Sequence, residues 1–562
     1  MDRIRSAVVL GTGTMGAAAC MHLAARGVRV TGIERFAAPH AHGSHHGGSR
    51  IVRECYFEHP DYVPLLLCAR DGSLADALRA RRRARAARRL ARGDQLRRRA
   101  ARGARGLRGG AGRGHGERQG DQRGENGAHG PESRGPGPRF ARRRSPPARR
   151  VDFPPKMAPG AFSADNGDVM PGARSAIVLG TGTMGAAACM HLAARGVRVT
   201  GIERFAAPHA HGSHHGGSRI VRECYFEHPD YVPLLLCARD GWAALEHDAA
   251  ACGAGSLLPV VHRPGALYLG PHGSEVVERS LASGEANGIA CERLDARALR
   301  ARYPQFRVPD DWCALLEPGA GFARPERAVD AALRVARARG AEIRERERAL
   351  DWEETARGVR VRTDRGTHEA DALVITAGAW TPALAARLGI PLEPRRVVIA
   401  WLAPRDEPAC TSPRMPVWYV DRPGEPGLYG VPVAPDQGEP AGMKVAFHAG
   451  TPCDPDAPRT PPTPGELDAL RAAVERVLPC AAHAGTAPVA ASTCLYTMSP
   501  DGHFVVDRMP GCGRTWVACG FSGHGFKFMP AIGEALADLA VDGRTRLPVG
   551  FLGAGRLRAP IS

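Results

Sequence analysis

The sequence predicts an α/β (α+β) protein in which a Rossmann-type nucleotide-binding domain is interleaved with an antiparallel-sheet domain, behind a duplicated N-terminal extension. Three observations carry this expectation. The segment SAIVLGTGTMGAAACMHLAARGVRVTGIER places a strand, a glycine-rich turn, a helix and a second strand in one unit. After Trp242, amphipathic helical stretches alternate with short apolar runs. Residues 5–72 recur as residues 174–241, differing only at Val8 and Ile177.

A chain of 562 residues has room for two to four domains. Its net charge of +18 would ordinarily suggest an anionic partner such as nucleic acid. Residues 73–150, however, hold 24 Arg, no Lys and 6 acidic residues, so that stretch alone accounts for the excess. The remainder is close to neutral, and nucleic acid is not expected as a partner. The tract has almost no aromatic or β-branched residues, cannot offset its ordering entropy by burial, and is expected to be disordered over 73–172. Arginine without lysine, beside Ala, Gly and Pro, is also what out-of-frame translation of GC-rich DNA yields. An RGG-like RNA-binding arm is the rival reading.

The 15 Cys are an odd number with no CxxC pair, which suggests reduced thiols in a cytoplasmic protein without structural zinc. No stretch is long enough to span a bilayer.

Of the two copies, only the second runs directly into GWAALE. Use of the first would require closing a loop of roughly 170 residues, at about 4 to 5 kcal/mol of entropy. A single βαβ fragment also has too little core to fold alone, so residues 1–72 are expected not to fold independently and the site is expected on the second copy. There, Gly180 permits the tight turn, Gly182 lets backbone approach a pyrophosphate, and Gly185 lets helix and strand pack closely. The helix expected from Met184 to about Arg195 points its N-terminus at the phosphates, and Glu203 ends the second strand where an adenosine ribose would offer both hydroxyls. The motif leaves NAD and FAD undecided.

The stretch PHAHGSHHGGSRIVR follows. Four histidines invite a metal reading, but no matching acid or Cys set accompanies them. A polar surface loop is the plain alternative. A third reading has Gly216 and Gly217 passing close to a flat ring while His215, Arg219 and Arg222 present positive groups, Arg being suited to carboxylate.

Helices are expected at GWAALEHDAAACG, PERAVDAALRVARARG, TPGELDALRAAVERVLP and PAIGEALADLAVDG, and strands at GALYLG, VRVRTD, ADALVITAG, RRVVIAWLA, MKVAFH, HFVVDRM and TWVACG. VWYV, GLYGVPV and MKVAFH sit among Pro and Gly turns, as in an antiparallel sheet. This assigns 174–255, 319–395 and 480–556 to the nucleotide domain, and 256–318 with 396–479 to the substrate domain.

Near the C-terminus, Gly520, Gly523 and Gly525 form a glycine-rich loop that opens another helix, a second place to stabilise negative charge. Lys527 between Phe526 and Phe528 is no ordinary surface lysine, while Cys494 alone reads as a buried small hydrophobe. Taken together, GSHHGGSRIVR, YVPLLL, RYPQF, ITAGAW, LYGVP, KVAFH, TCLYT and GFSGHGFKF resemble, in order and spacing, the monomeric sarcosine oxidase and N-methyltryptophan oxidase family of FAD-dependent amine oxidoreductases.

The resemblance covers about 174–556 and implies a monomeric oxidase that takes an N-alkyl amino acid and O2, with an FAD-binding domain and a substrate domain. It implies FAD held covalently through Cys494, and a substrate carboxylate gripped by Arg222 and Lys527. It places Lys444 where O2 is reduced, His215 and Arg219 beside the flavin, and Tyr429, His448 and Tyr496 around the substrate. The products would be H2O2 and, from N-methyl substrates, formaldehyde; N-methyltryptophan or pipecolate are alternative substrates, and an NAD(P)-dependent dehydrogenase is the rival from the glycine motif alone. Two departures bear on substrate choice: a longer loop APDQGEPAGM, and Gly217 where the family commonly has an acid.

Overall fold

The computed structural model describes residues 172–557 except 208, 435, 437–439 and 484–486, and outside that stretch only three short strands. Two of these, Ser6–Leu10 and Arg29–Ile33, belong to a separate compact unit and pair in parallel, Ser6 opposite Arg29. The expectations for the rest of residues 1–72 and for the arginine-rich tract lie outside the described residues. The third strand, Phe162–Ser163, falls inside the stretch expected to be disordered, yet its backbone pairs antiparallel with Arg544–Thr545.

The second copy of the duplicated segment contributes two strands to a six-stranded sheet in the order Glu342–Arg344, Arg198–Ile202, Ser175–Leu179, Ala372–Ile375, Thr515–Cys519, Val505–Arg508. All neighbours are parallel except the last pair. The strand SAIVL is buried throughout because both of its faces are covered, as apolar runs in parallel sheets require. Ala176 and Val178 meet the helices Thr183–Ala194, Tyr231–Ala251, Pro325–Ala338 and Met529–Asp542; Ile177 and Leu179 meet a three-stranded antiparallel layer through Trp352, Val359 and Val361.

The other large sheet has nine strands. Eight run in the order Thr451–Pro452, Glu393–Leu402, Met443–Phe447, Leu428–Val431, Val417–Val420, Ala266–Pro271, Trp312–Glu317, Glu292–Asp295. One pair departs from the expected antiparallel pattern: Val417–Val420 runs parallel to Ala266–Pro271. Helices Ala296–Arg302 and Pro464–Val477 close one face, the latter started by a Thr463–Glu466 capping box.

The ninth strand, Ala490–Met498, corrects the sequence reading, which placed it in the nucleotide domain. It pairs antiparallel with Glu393–Leu402, from Glu393 opposite Met498 to Trp401 opposite Ala490. The reason is side-chain packing: Cys494 and Tyr496 lie on the same apolar cluster as Val397, Ile399 and Trp401. The chain leaves this sheet only at the turn after Met498 and enters the six-stranded sheet at Val505. Among the described residues no helix is long and apolar enough to cross a membrane.

Candidate active site

A cleft of about 270 Å3 opens along the C-terminal ends of the parallel strands, lined by Gly180, Gly182, Glu203, Trp380, Thr497 and Gly523 among others. Gly180 takes φ +82°, and a Cβ there would stand 2.7 Å from the Thr376 carbonyl oxygen. A Cβ on Gly185 would stand 1.9 Å from the Gly180 oxygen, so the turn closes only with hydrogen at that position. Gly182 differs: its nearest neighbour is His214 Nδ1 at 3.9 Å, which leaves its face open to a ligand. It also caps helix Thr183–Ala194 without a side-chain acceptor, leaving the first amides free for an anion.

Glu203 is buried, and its carboxylate accepts from the amides of Thr181 at 3.0 Å and Phe205 at 3.1 Å. Burial pushes this carboxyl up, and those amides counter it. Thr497 Oγ1 and His209 Nδ1 are buried on the cleft without a partner. The open glycine face, uncapped helix and orphaned polar atoms fit an extended dinucleotide.

Replacement of Gly185 by Ala is expected to abolish cofactor binding and lower Tm, because overpacking against backbone costs about 1–3 kcal/mol or more. Gly182→Ala should leave the Tm of the apoprotein unchanged and weaken dinucleotide binding; measured Tm and bound cofactor per chain check both.

Beyond the turn, the histidine loop folds over the cleft. Glu326, at the start of helix Pro325–Ala338, accepts from the amides of Gly216 at 2.8 Å and Gly217 at 3.0 Å. Arg219 donates to the carbonyls of Ser218, Ser213 and His215. Lys444 is buried, donates from Nζ to Ser218 O at 2.8 Å, and lies next to Gly216. Burial, and next the Arg219 charge, hold its ammonium well below the usual lysine range. His215 Nε2 reaches Ser492 Oγ at 3.4 Å, and its Nδ1 stands 3.9 Å from Glu326. Cys494 is buried; its strand neighbours Leu495, Tyr496 and Thr497 line the cleft.

A second cavity of about 80 Å3 adjoins the first and shares Arg219, Tyr496, Gly523 and Phe526 with it. Arg222, Lys527, Tyr429, His448 and Tyr268 also line it. The Arg222 guanidinium stacks over Tyr225 at 4.0 Å and Phe226 at 4.5 Å, and pairs with Glu227. Burial opposes the Glu227 charge, but Arg222, His524 and Lys527 hold the carboxyl below its usual range. Lys527 Nζ donates to His524 O at 2.7 Å; burial, then the Arg222 charge, bring its ammonium down to about 7. His448 bonds Tyr496 OH at 3.3 Å and is held at about 4 by burial, so its imidazole is neutral at pH 7.

The residues singled out in the sequence thus assemble around two joined cavities. Gly180, Gly182, Glu203, Gly523 and Gly525 line the cleft; Arg219, Arg222, Tyr429, His448, Tyr496 and Lys527 line the smaller cavity. Gly185, His215, Lys444 and Cys494 lie behind the lining. Glu227, Glu326 and His524 were not singled out. His524 sits inside the GFSGHGFKF motif; Glu227 and Glu326 carry no local signal of their own.

A cleft that fits a dinucleotide thus opens onto a small cavity lined by cationic and aromatic side chains, the layout of a cofactor-dependent enzyme. Comparison with known proteins gives the cofactor. The profile of the family "FAD dependent oxidoreductase" matches residues 175–539. Monomeric sarcosine oxidase of Streptomyces avermitilis is 40% identical over 386 residues, covering 68% of this chain and 97% of that protein. N-methyl-L-tryptophan oxidase of Salmonella dublin is 34% identical over 382 residues, covering 65% and 94%. The crystal structure of NikD, described as an unusual amino acid oxidase essential for nikkomycin biosynthesis, superposes with a TM-score of 0.58 at 26% identity, covering 68% of this chain and 98% of that one. The chain belongs to the FAD-dependent oxidoreductase family. The nicotinamide alternative left open by the glycine motif is thereby closed.

Proposed function

We propose that this protein is an oxidase of secondary amino acids of the sarcosine type, using O2 and releasing H2O2 and, from N-methyl substrates, formaldehyde. The observation that carries the reading is the pair Arg222 and Lys527, both buried, lining one small cavity that opens onto the cofactor cleft. The sarcosine and N-methyltryptophan oxidases among its relatives support the same class.

FAD, when bound, supplies the acceptor for the hydride equivalent taken from the carbon beside nitrogen and the route for those electrons to O2. The chain's residues orient and exclude. Arg222 and Lys527 fix the substrate carboxylate, with Glu227 yielding part of its hold on Arg222. The aromatic walls, Phe226, Tyr268 and Tyr419, exclude water and favour the neutral amine, whose lone pair assists loss of the hydride. His448, neutral at pH 7, can bond the amine without competing for positive charge. Lys444, beside the Gly216 turn, takes up a proton as negative charge arrives on O2 and stabilises it. The cavity of about 80 Å3 favours a small N-methyl amino acid over N-methyltryptophan. Cys494 is the proposed thioether attachment of FAD.

Anaerobic sarcosine should bleach the flavin band, and air should then restore it with one H2O2 and one formaldehyde per turnover. Failure of every N-alkyl amino acid to bleach it would sink the reading. Acid-precipitated protein should stay yellow, and Cys494→Ala should release its flavin into the supernatant; release from the unsubstituted protein removes the thioether.

A further inference from the structure

Away from both cavities, two thiols stand within reach of each other. Cys410 ends the short turn Pro408–Cys410, and Cys480 follows the helix Pro464–Val477 that covers the nine-stranded sheet. Their sulfurs are 3.5 Å apart across 70 residues of chain. The backbone holds both ends in place. Arg405 N–H donates to Cys480 O at 2.7 Å, Val433 N–H donates to Cys410 O at 3.0 Å, and the Cys410 amide donates to Glu407 O at 3.0 Å.

The two sulfurs are not equivalent. Cys410 is buried and Cys480 is half-buried, so an oxidant arriving from solvent meets Cys480 first. The hydrogen bond between them lowers Cys480 and raises Cys410, which puts thiolate character on the accessible sulfur and the proton on the buried one; the nearby Asp406 opposes thiolate formation on both. A disulfide needs the sulfurs at about 2.05 Å, within reach of side-chain rotation from 3.5 Å.

We propose that Cys410 and Cys480 are a modification site: a dithiol that hydrogen peroxide converts to an intramolecular disulfide. The Cys480 thiolate attacks one peroxide oxygen, the O–O bond breaks, and hydroxide leaves, giving the sulfenic acid. The Cys410 thiol gives up its proton and attacks the Cys480 sulfur; the S–O bond breaks, the S–S bond forms and water leaves. Two thiols and one H2O2 become one disulfide and two waters, the sulfurs losing two electrons and the peroxide gaining them. The disulfide ties the end of the covering helix to the loop below it and shortens the free chain of the unfolded state. Insofar as the enzyme makes its own oxidant, the inference rests on the proposed function; the competence of the pair toward added peroxide does not.

The test uses reduced holoenzyme titrated with H2O2, followed by thiol counting and tandem mass spectrometry that resolves Cys480 from Cys494 within one tryptic peptide. The expected result is loss of two thiols, a linked Cys410–Cys480 peptide lighter by two hydrogens, and a higher Tm that dithiothreitol reverses. In Cys410→Ser, dimedone should trap the sulfenic acid on Cys480; in Cys480→Ser, Cys410 should remain a thiol. Oxidation of the exposed Cys252 before Cys480, or no linked peptide at any peroxide level, overturns the site. A disulfide formed by added peroxide but not during aerobic turnover of sarcosine supports the site and counts against peroxide as the product of the reaction.

Discussion

Lys444→Met is expected to slow reoxidation by O2 by about 10²–10³-fold, the usual size for loss of one preorganised donor, while anaerobic reduction by substrate changes only a few-fold. The asymmetry follows from position. Lys444 donates to Ser218 O and lies next to Gly216, on the turn that folds over the cleft, whereas the substrate cavity is lined without it. Electron transfer to O2 creates negative charge where none existed; a buried lysine held below its usual range takes up a proton as that charge arrives, and its donor is already in place. Met retains most of the volume, so folding should survive, at the cost of the bond to Ser218. Stopped-flow measurement of the two half-reactions separates the effects; equal slowing of both would assign Lys444 a structural role.

Arg222→Met is expected to raise KM for an amino acid substrate by about 10²-fold or more, since truncating one partner of a buried charge pair costs about 2–5 kcal/mol. Part of that loss comes from stranding Glu227, so the variant Arg222→Met with Glu227→Gln should recover stability without recovering affinity. The second cation gives the clamp a pH dependence. Lys527 is charged below about 7 and neutral above it, while a substrate carboxylate is ionised throughout. Binding is therefore strongest below pH 7, and kcat/KM falls as pH rises through that value. Lys527→Met should show a low kcat/KM at pH 6 and no fall attributable to this group; an unchanged profile would remove Lys527 from the clamp.

The glycine turn was legible because its constraints are local: each glycine answers a clash within a single strand-turn-helix unit. The same holds for the helices at 325–338, 464–477 and 529–542, where apolar spacing and a proline in the first turn agree. Helix Glu275–Asn287 was not named, because Ser and Glu break up its apolar stripe and its limits are set by the Ser274 cap and Gly288. The site residues beyond the turn became visible through motif resemblance, since Arg222 and Lys527 meet only across 305 residues of chain. Glu227 stayed hidden in ECYFEHPDY, an acid among others until the chain bends it back onto Arg222. Glu326 had every mark of an ordinary first-turn acid, and its bonds to Gly216 and Gly217 depend on where another loop arrives.

The crossing of strand Ala490–Met498 into the nine-stranded sheet has a mechanical consequence. A cofactor seated with its phosphates at Gly182 and its ring end joined to Cys494 would be anchored in two different sheets, one at each end. It would act as a crossbar between two bodies that otherwise have separate cores. Holoenzyme should then come apart under denaturant in one cooperative step, and apoprotein in two.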